Sequence, residues 1–460
     1  MTGSETTSDA ASKGGAIRCA LERLWNNPFV RNLSAMGTAQ IVIRLSRLIT
    51  TVVLSRLLNS DAYGLAAIAL TVYEFVAVFT RNGISSRVVQ ASEEEVENVA
   101  RTAHVLTWLI CGALVVVQAL AAFPIAWVYH DPRLIAPIAL MGVIYLATPL
   151  SSMQAAFQIR EGRLGRIAFA GAAQVTADNI LTAIFALMGM GMWAIVLPKI
   201  LVAPIWFVVV RGGHSWRPQK IVFKLSAYSN WREIMRFSRN VIGVQMMTTL
   251  QANIDNLMVG YFLGVKALGI YYFAFNAGLG ITLGLVQALG QAVFPHLTKV
   301  RSDPVALTAN FREAIGKVSL LLIPVILLQS FLAPVYVPLV FGHKWTAAIP
   351  VLSIICLSAL ARPFGAACSQ LMTAVGRPEI ELKWQVGLTV ALVLALLIGC
   401  QFNLIAVALA VLAVQTIGLS AFFLIAPRPF LTGAPFPALP LKSLWSRFAA
   451  RGPRPVALGR

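Results

Sequence analysis

The sequence predicts an all-α polytopic membrane protein, with about twelve spanning helices in two six-helix lobes around a central cavity. Three observations carry that expectation. Of 460 residues, 58% are hydrophobic and 12% charged, more apolar surface than a soluble protein of this size can hide. Apolar stretches of about 20 residues, enough to cross a hydrocarbon core of about 30 Å, recur along the chain, and the mean hydropathy is +0.76. The basic residues also gather on one side of those stretches. Twelve spans of about 21 residues would use about 250 residues. That leaves short loops and two tails, and excludes a sizeable water-soluble catalytic domain.

Taken in order, residues 1–32 are polar and mixed in charge, without a continuous apolar core ahead of a cleavage site. They read as a cytoplasmic tail, and the span after it as an uncleaved insertion signal. Spans at 33–57, 62–80, 102–123, 134–157, 168–189 and 190–210 form an N-terminal lobe over 33–210. The segment 211–238 carries Arg211, Arg217, Lys220, Lys224, Arg232 and Arg236 with Trp216, Phe223, Tyr228 and Trp231. It reads as a basic cytoplasmic linker held at the membrane surface by anionic headgroups and interfacial rings, with a specific partner site as the alternative. Spans at 239–263, 268–294, 314–334, 347–375, 384–402 and 404–426 make the second lobe, 239–426, and 427–460 is a basic cytoplasmic tail.

An even number of spans puts both tails on one side. Of 37 Lys and Arg, 29 then fall on the tail side, counting Arg239 and Lys317 at the tail-side ends of their spans, against Arg56, Arg133, Lys266 and Lys344 on the other. That asymmetry places both termini in the cytoplasm. A net charge of +19 would suggest nucleic acid in a soluble protein; here the positions of the charges point to lipid, and no nucleic-acid partner is expected. Cys19, Cys111, Cys356, Cys368 and Cys400 form no CxxC pair, lie mostly in apolar stretches and read as buried thiols.

The halves repeat. An offset of 205 pairs Arg31 with Arg236, Gln40 with Gln245 and Gly64 with Gly269; an offset of 214 pairs Pro149 with Pro363, Gly162 with Gly376 and Arg163 with Arg377. Six helices per half give a parallel repeat, the kind that leaves a cavity between lobes.

Charges inside the spans are the candidate site, because a charge at mid-bilayer costs about 2.5–3.5 kcal/mol on insertion scales. Gly37, Gln40, Arg44, Arg47 and Thr51 share one face of the first span. They read as a cationic wall for an anionic ligand, the alternative being neutralisation within the bundle by Glu74 or Asp255. In the seventh span Asp255 has Thr249, Asn253 and Asn256 beside it, oxygen ligands suited to a hard cation. Asp255 is therefore a candidate for Na⁺ or H⁺ coupling, the alternative being a permanent pair with Arg47. Ser358, Arg362, Gly365 and Ser369 add a third polar face, and Asp178 with Lys199 reads as an ion pair between adjacent spans. His104 reads as a satisfied histidine rather than a proton relay.

No GxxxxGK[ST], HExxH, GxSxG or GxGxxG signature is present, so neither an enzyme nor a resident cofactor is expected.

Six stretches in order carry a resemblance across about residues 33–385. They are Gln40, Arg44 and Arg47 followed by LSRLLNSDAYGL; RNGISSRVVQ; QANIDNLMVGYFLGVKALGIYYFAFN; QAVFPHLTKVRSD; APVYVPLVFGHKWTAAIPVL; and LMTAVGRPE. The chain resembles the polysaccharide-transporter branch, the O-antigen and exopolysaccharide flippases, of the multidrug, oligosaccharidyl-lipid and polysaccharide exporter superfamily. The resemblance implies a two-lobed fold of twelve to fourteen helices that moves a polyprenyl-pyrophosphate-linked oligosaccharide to the periplasmic leaflet by alternating access. The resemblance also implies a role in cell-surface polysaccharide or lipopolysaccharide synthesis in the bacterial inner membrane, with a polymerase and glycosyltransferases as expected partners. Arg44, Arg47 and Arg362, with Gln40, suit the phosphate oxygens of such a lipid. The rivals are a cation-coupled multidrug antiporter of the same superfamily and a membrane-embedded glycan polymerase or ligase. The latter would be expected to carry acidic or His residues on a substantial periplasmic loop, and the expected outer loops are short.

Overall fold

The computed structural model describes residues 28–80, 83–217, 231–279 and 303–431, with isolated positions between 280 and 302. Cys19, most of both tails, the linker over 218–230, the eighth span beyond 279, and most of QAVFPHLTKVRSD lie outside the described residues.

All regular structure among the described residues is helical. In chain order the helices are α1 (Pro28–Leu57), α2 (Ser60–Ala77), α3 (Gly83–Gln90), α4 (Val96–Val128), α5 (Ile135–Met141), α6 (Ser152–Arg160), α7 (Leu164–Leu187) and α8 (Trp193–Arg211). They continue as α9 (Trp231–Leu263), α10 (Val265–Ala274), α11 (Pro304–Phe331), α12 (Ala333–Tyr336), α13 (Ile349–Ser358), α14 (Arg362–Ala374), α15 (Pro378–Gly399) and α16 (Leu404–Ile425). Among the described residues nine helical stretches are long and apolar enough to cross a membrane, or ten if the pair bent by 51° at 148–151 is one span. Those ten correspond to ten of the twelve expected spans. The seventh and eighth are not among them. Gln245, Thr248, Thr249, Gln251, Asn253 and Asn256 lower the hydropathy of α9, and the described part of the eighth ends at 279.

The chain divides into two compact units, Met1–Asn253 and Ile254–Arg460, with the division inside α9. In unit 1, α7 packs lengthwise against both α1 and α8, and α4 packs on α5. Loops expected on one side of the membrane meet at one end of this unit. Arg133, between α4 and α5, donates to Asp61 Oδ2 (2.8 Å) at the start of α2 and to Asp131 Oδ2 (2.7 Å). The chain leaves α4 there through His130, whose φ of 53° is left-handed, and Asp131 N–H closes the helix on Ala126 O at 3.0 Å. At the other end, Arg160 of α6 donates to Val89 O (3.2 Å) and Ala91 O after α3, and to Glu93 (2.7 Å). Trp216, beyond α8, donates its indole N–H to Glu97 Oε2 at 3.1 Å. The core there joins Val88, Ala100, Met153, Phe157, Trp216 and Ile234.

In unit 2, α16 packs on α13, α14 and α15, around Phe311, Cys368, Leu371, Phe422 and Phe423. Cys111, Cys356, Cys368 and Cys400 are buried thiols, as expected.

The repeat shows in local geometry. Gly162 after α6 and Gly376 after α14 hold φ of +70° and +74°, a left-handed turn that glycine adopts without strain. The arginine after each closes the same helix-ending ring, Arg163 N–H to Gln158 O at 2.8 Å and Arg377 N–H to Met372 O at 2.9 Å. Two positions matched by the 214 offset thus make the same turn.

Candidate functional site

In unit 1 the packing of α1 fixes which face remains available. Asn179 of α7 donates through Nδ2 to Ser46 Oγ (2.8 Å), and Thr50 Oγ1 donates back to Asn179 O (3.1 Å). At about 100° per residue, Gln40, Arg44, Arg47 and Thr51 lie roughly 100° around the helix from that seam. Gln40 and Arg47 are exposed, and Arg44 is half-buried and engaged by neighbouring groups. Beyond the stripe the surface is bare hydrocarbon, with Ile41, Leu45 and Ile49 each about 60% exposed. Gln40, Arg44, Arg47 and Thr51 thus share one face of α1, to the side of the Ser46–Asn179 seam.

Asp178 and Lys199 form the expected ion pair, Nζ to Oδ2 at 2.9 Å, tying α7 to α8. His104 is buried; its Nε2 accepts the Trp108 indole N–H at 3.2 Å, while Nδ1 has no hydrogen-bond partner among the described residues. Only half of the expected satisfaction is present.

Unit 2 holds the polar centre. Asp255, near the end of α9, is 7% exposed. Its Oδ2 accepts the hydroxyl of the fully buried Tyr271 at 2.7 Å, and its Oδ1 accepts Asn256 N–H at 2.9 Å. Arg362 acts on the carboxylate electrostatically. Within unit 2, then, Asp255 is not the isolated acid that the sequence suggests. Arg362 begins α14 because a 3-10 turn over Ala359–Ala361 separates it from α13 within the one stretch His343–Ala374. Pro363 falls in the first turn of α14, where a missing N–H costs nothing. The Arg362 Nε is buried without a hydrogen-bond partner among the described residues. Ser358 and Ser369 do not join it: Ser358 bonds Ile355 O (2.6 Å), and Ser369 bonds Glu381. Gly365 lies against Leu419, where a Cβ would sit 2.8 Å from its Cδ2.

The other proposed oxygen ligands divide. Asn256 and Thr249 are buried, whereas Asn253 turns its amide N–H back to Thr249 O at 3.0 Å. Tyr271 is a member of this centre that sequence reasoning does not single out. The only signal for it lies in the helical hairpin, since 255 and 271 stand at similar distances from the turn at Gly264, which has φ of +87°. Among the described residues no three His, Cys, Asp or Glu side chains gather as a metal site would require.

Residues 53–350 match the profile of the polysaccharide biosynthesis protein family. The chain belongs to that family. It is 27% identical over 408 residues to the lipopolysaccharide biosynthesis protein WzxC of Escherichia coli, covering 86% of this chain and 80% of that one. In fold this member of the family is similar to the lipid II flippase MurJ in an inward closed conformation, with a TM-score of 0.73 at 14% identity, over 91% of this chain and 93% of MurJ. It is also similar to an inward-facing multidrug resistance MATE transporter, with a TM-score of 0.67 at 16% identity, over 85% and 94% of the two chains. The polysaccharide biosynthesis family thus comes here on an all-helical, multi-pass membrane fold shared with transporters.

Proposed function

We propose that the protein is a flippase that moves a polyprenyl-pyrophosphate-linked oligosaccharide across the bacterial inner membrane by alternating access, for cell-surface polysaccharide or lipopolysaccharide synthesis. The observation that carries this is membership of a polysaccharide biosynthesis family by a chain whose described helices are of membrane-spanning length. No part of this transport calls for covalent catalysis. The MATE-like fold keeps a cation-coupled antiporter as the second reading, but the family match favours the glycan.

In unit 1 the face bearing Gln40, Arg44 and Arg47 offers charge-assisted donors for phosphate oxygens, and two arginines one turn apart match the two charges of a diphosphate. In unit 2 Arg362 is a third donor. Asp255 is the coupling residue: in this state its charge is offset by Arg362 and Tyr271. When Arg362 turns to the diphosphate, the carboxylate takes Na⁺ or H⁺ instead, with Asn256, Asn253 and Thr249 as the nearby oxygens. Arg362 thus fills the role that the sequence alone suggests for Arg44 or Arg47. Both termini lie in the cytoplasm, and the partners are the lipid-linked glycan, membrane lipids, a polymerase and glycosyltransferases.

Flipping of a lipid-linked glycan in proteoliposomes tests this. Arg44→Ala/Arg47→Ala should insert normally and flip far more slowly, and Lys at both positions should rescue in part, since an ammonium lacks the planar fork. A double Ala variant that flips at the parental rate overturns the cationic-face assignment. Asp255→Asn should abolish the response to an imposed ion gradient with the fold retained.

A further inference from the structure

The start of the linker and the turn between α6 and α7 border an open cavity of about 400 Å³ at the end of unit 1 expected to face the cytoplasm. That volume is within the range of small-ligand pockets, about 300–1,000 Å³. Its lining has no apolar side chain: Arg163 and Arg217, Glu161 and His214, and the bare backbone of Gly212 and Gly213 form most of it.

We propose that this cavity binds a phosphate or diphosphate group at the cytoplasmic membrane surface, separately from the cationic face of α1.

Charge selects the ligand. Arg163 and Arg217 line the cavity, and Arg166 reaches its rim, with Nη2 3.4 Å from where a Cβ on Gly212 would stand. The one acid, Glu161, is already offset: Oε2 meets Arg163 Nε at 3.1 Å, and Oε1 meets His214 Nε2 at 3.2 Å. Because Trp216 N–H donates to His214 Nδ1 at 3.0 Å, the proton of a neutral His214 sits on Nε2, directed at Glu161. Arg163 meets Glu161 through Nε, which leaves the outer edge of its guanidinium for a ligand. Arg217 donates Nη1 to His214 O (2.9 Å) and Trp216 O (2.8 Å), so its fork is held in place with donors remaining.

The wall is built before any ligand arrives. His214 stacks on Phe157 at 4.7 Å with the rings 2° apart. Gln154 and Gln158 donate to Trp216 O (3.1 Å) and Val210 O (2.8 Å). Gly213 comes so close to Gln158 that a Cβ would stand 2.5 Å from its Oε1. A Gly-Gly backbone with fixed arginines at its edge suits a tetrahedral polyanion better than an apolar or cationic ligand. The group can come from a lipid-linked diphosphate, an anionic bilayer lipid or free phosphate. Only the first choice rests on the flippase reading.

The test uses full-length protein in phosphatidylcholine nanodiscs, in the Arg44→Ala/Arg47→Ala background so that α1 contributes nothing, with inorganic pyrophosphate titrated calorimetrically. Binding should weaken by about tenfold or more in Arg163→Gln/Arg217→Gln and by less in Arg163→Lys/Arg217→Lys, which keeps the charges and guards against a folding defect. Polyprenyl diphosphate or phosphatidylglycerol added to the disc identifies the natural source by whichever displaces pyrophosphate; displacement by neither assigns the site to a soluble phosphate. If pyrophosphate does not bind the background protein, or binds the Gln variant equally well, the site does not exist. Either result is independent of any flipping rate.

Discussion

Replacing Lys199 with Met should destabilise the protein more than replacing its partner Asp178 with Asn. The two side chains meet at 2.9 Å between α7 and α8, but Asp178 is 14% exposed and Lys199 32%. Asp178 Oδ1 is also buried without a hydrogen-bond partner among the described residues, so Lys199 is the main group offsetting that carboxylate. Breaking a fully buried pair costs about 3–5 kcal/mol. Allowing for the exposed third of Lys199, about 2 kcal/mol is expected for Lys199→Met. For Asp178→Asn about 1 kcal/mol is expected, because the ammonium that remains can extend its stem toward water. The double variant should cost no more than Lys199→Met alone, a coupling of about 1 kcal/mol or more. Reversible unfolding in mixed detergent–SDS micelles, followed by far-UV circular dichroism, reads all three. Additivity of the single losses to within about 0.5 kcal/mol would refute the argument, as would a larger loss from Asp178→Asn.

Three further outcomes are expected. Arg133 donates to the Asp131 carboxylate and holds it below the ordinary carboxylate range; the stabilisation this lends the turn is complete above the unfolded value of about 3.9 and is lost as pH falls through the lower folded one. Amide-exchange protection of residues 129–134 should therefore drop under acid, and Arg133→Gln should remove that step; the same profile in the variant would show that the pair does not order the turn. Tyr271→Phe deletes the hydroxyl 2.7 Å from Asp255 and should cost about 1–3 kcal/mol in the same unfolding assay, with much less lost when Asp255→Asn is already present. Single cysteines at Ser60 and His343 should react with an impermeant reagent added outside intact cells, and one at Gln219 should not; the reverse pattern would invert the topology.

What is legible in the sequence follows from the range of each interaction. Span positions depend on hydropathy summed over about 20 residues, so errors at single positions average out. Asp178 and Lys199 are legible as a pair because adjacent antiparallel spans leave few choices of partner. The polar face of α1 is legible from a spacing of three and four residues. Tyr271 is not, because a tyrosine among aromatics at the start of a span looks like an interfacial ring, and only tertiary contact turns its hydroxyl to Asp255. Nor is the 3-10 turn at 359–361, which shifts the register between Ser358 and Arg362; Ser369 stays on the face of Arg362 in the same helix, and only tertiary contact shows that its hydroxyl goes to Glu381. The beginning of the linker reads in sequence as a membrane-surface segment, whereas Trp216 is 8% exposed and packed into unit 1. Charge and aromatic content describe both environments equally well.

The placement of charges within the spans then bears on transport. Asp178 is met by Lys199 inside unit 1, and Asp255 by the Tyr271 hydroxyl inside unit 2. Each of these two acids therefore has a partner inside its own unit. Arg44 is engaged, but Arg47 is exposed and forms no ion pair among the described residues. A guanidinium on a spanning helix is stabilised by water, by headgroups or by an anion brought to it, and a permanent partner from its own chain would occupy the donors a ligand needs. Under the transport role proposed above, an Arg47 without an ion pair among the described residues keeps its donors for the diphosphate.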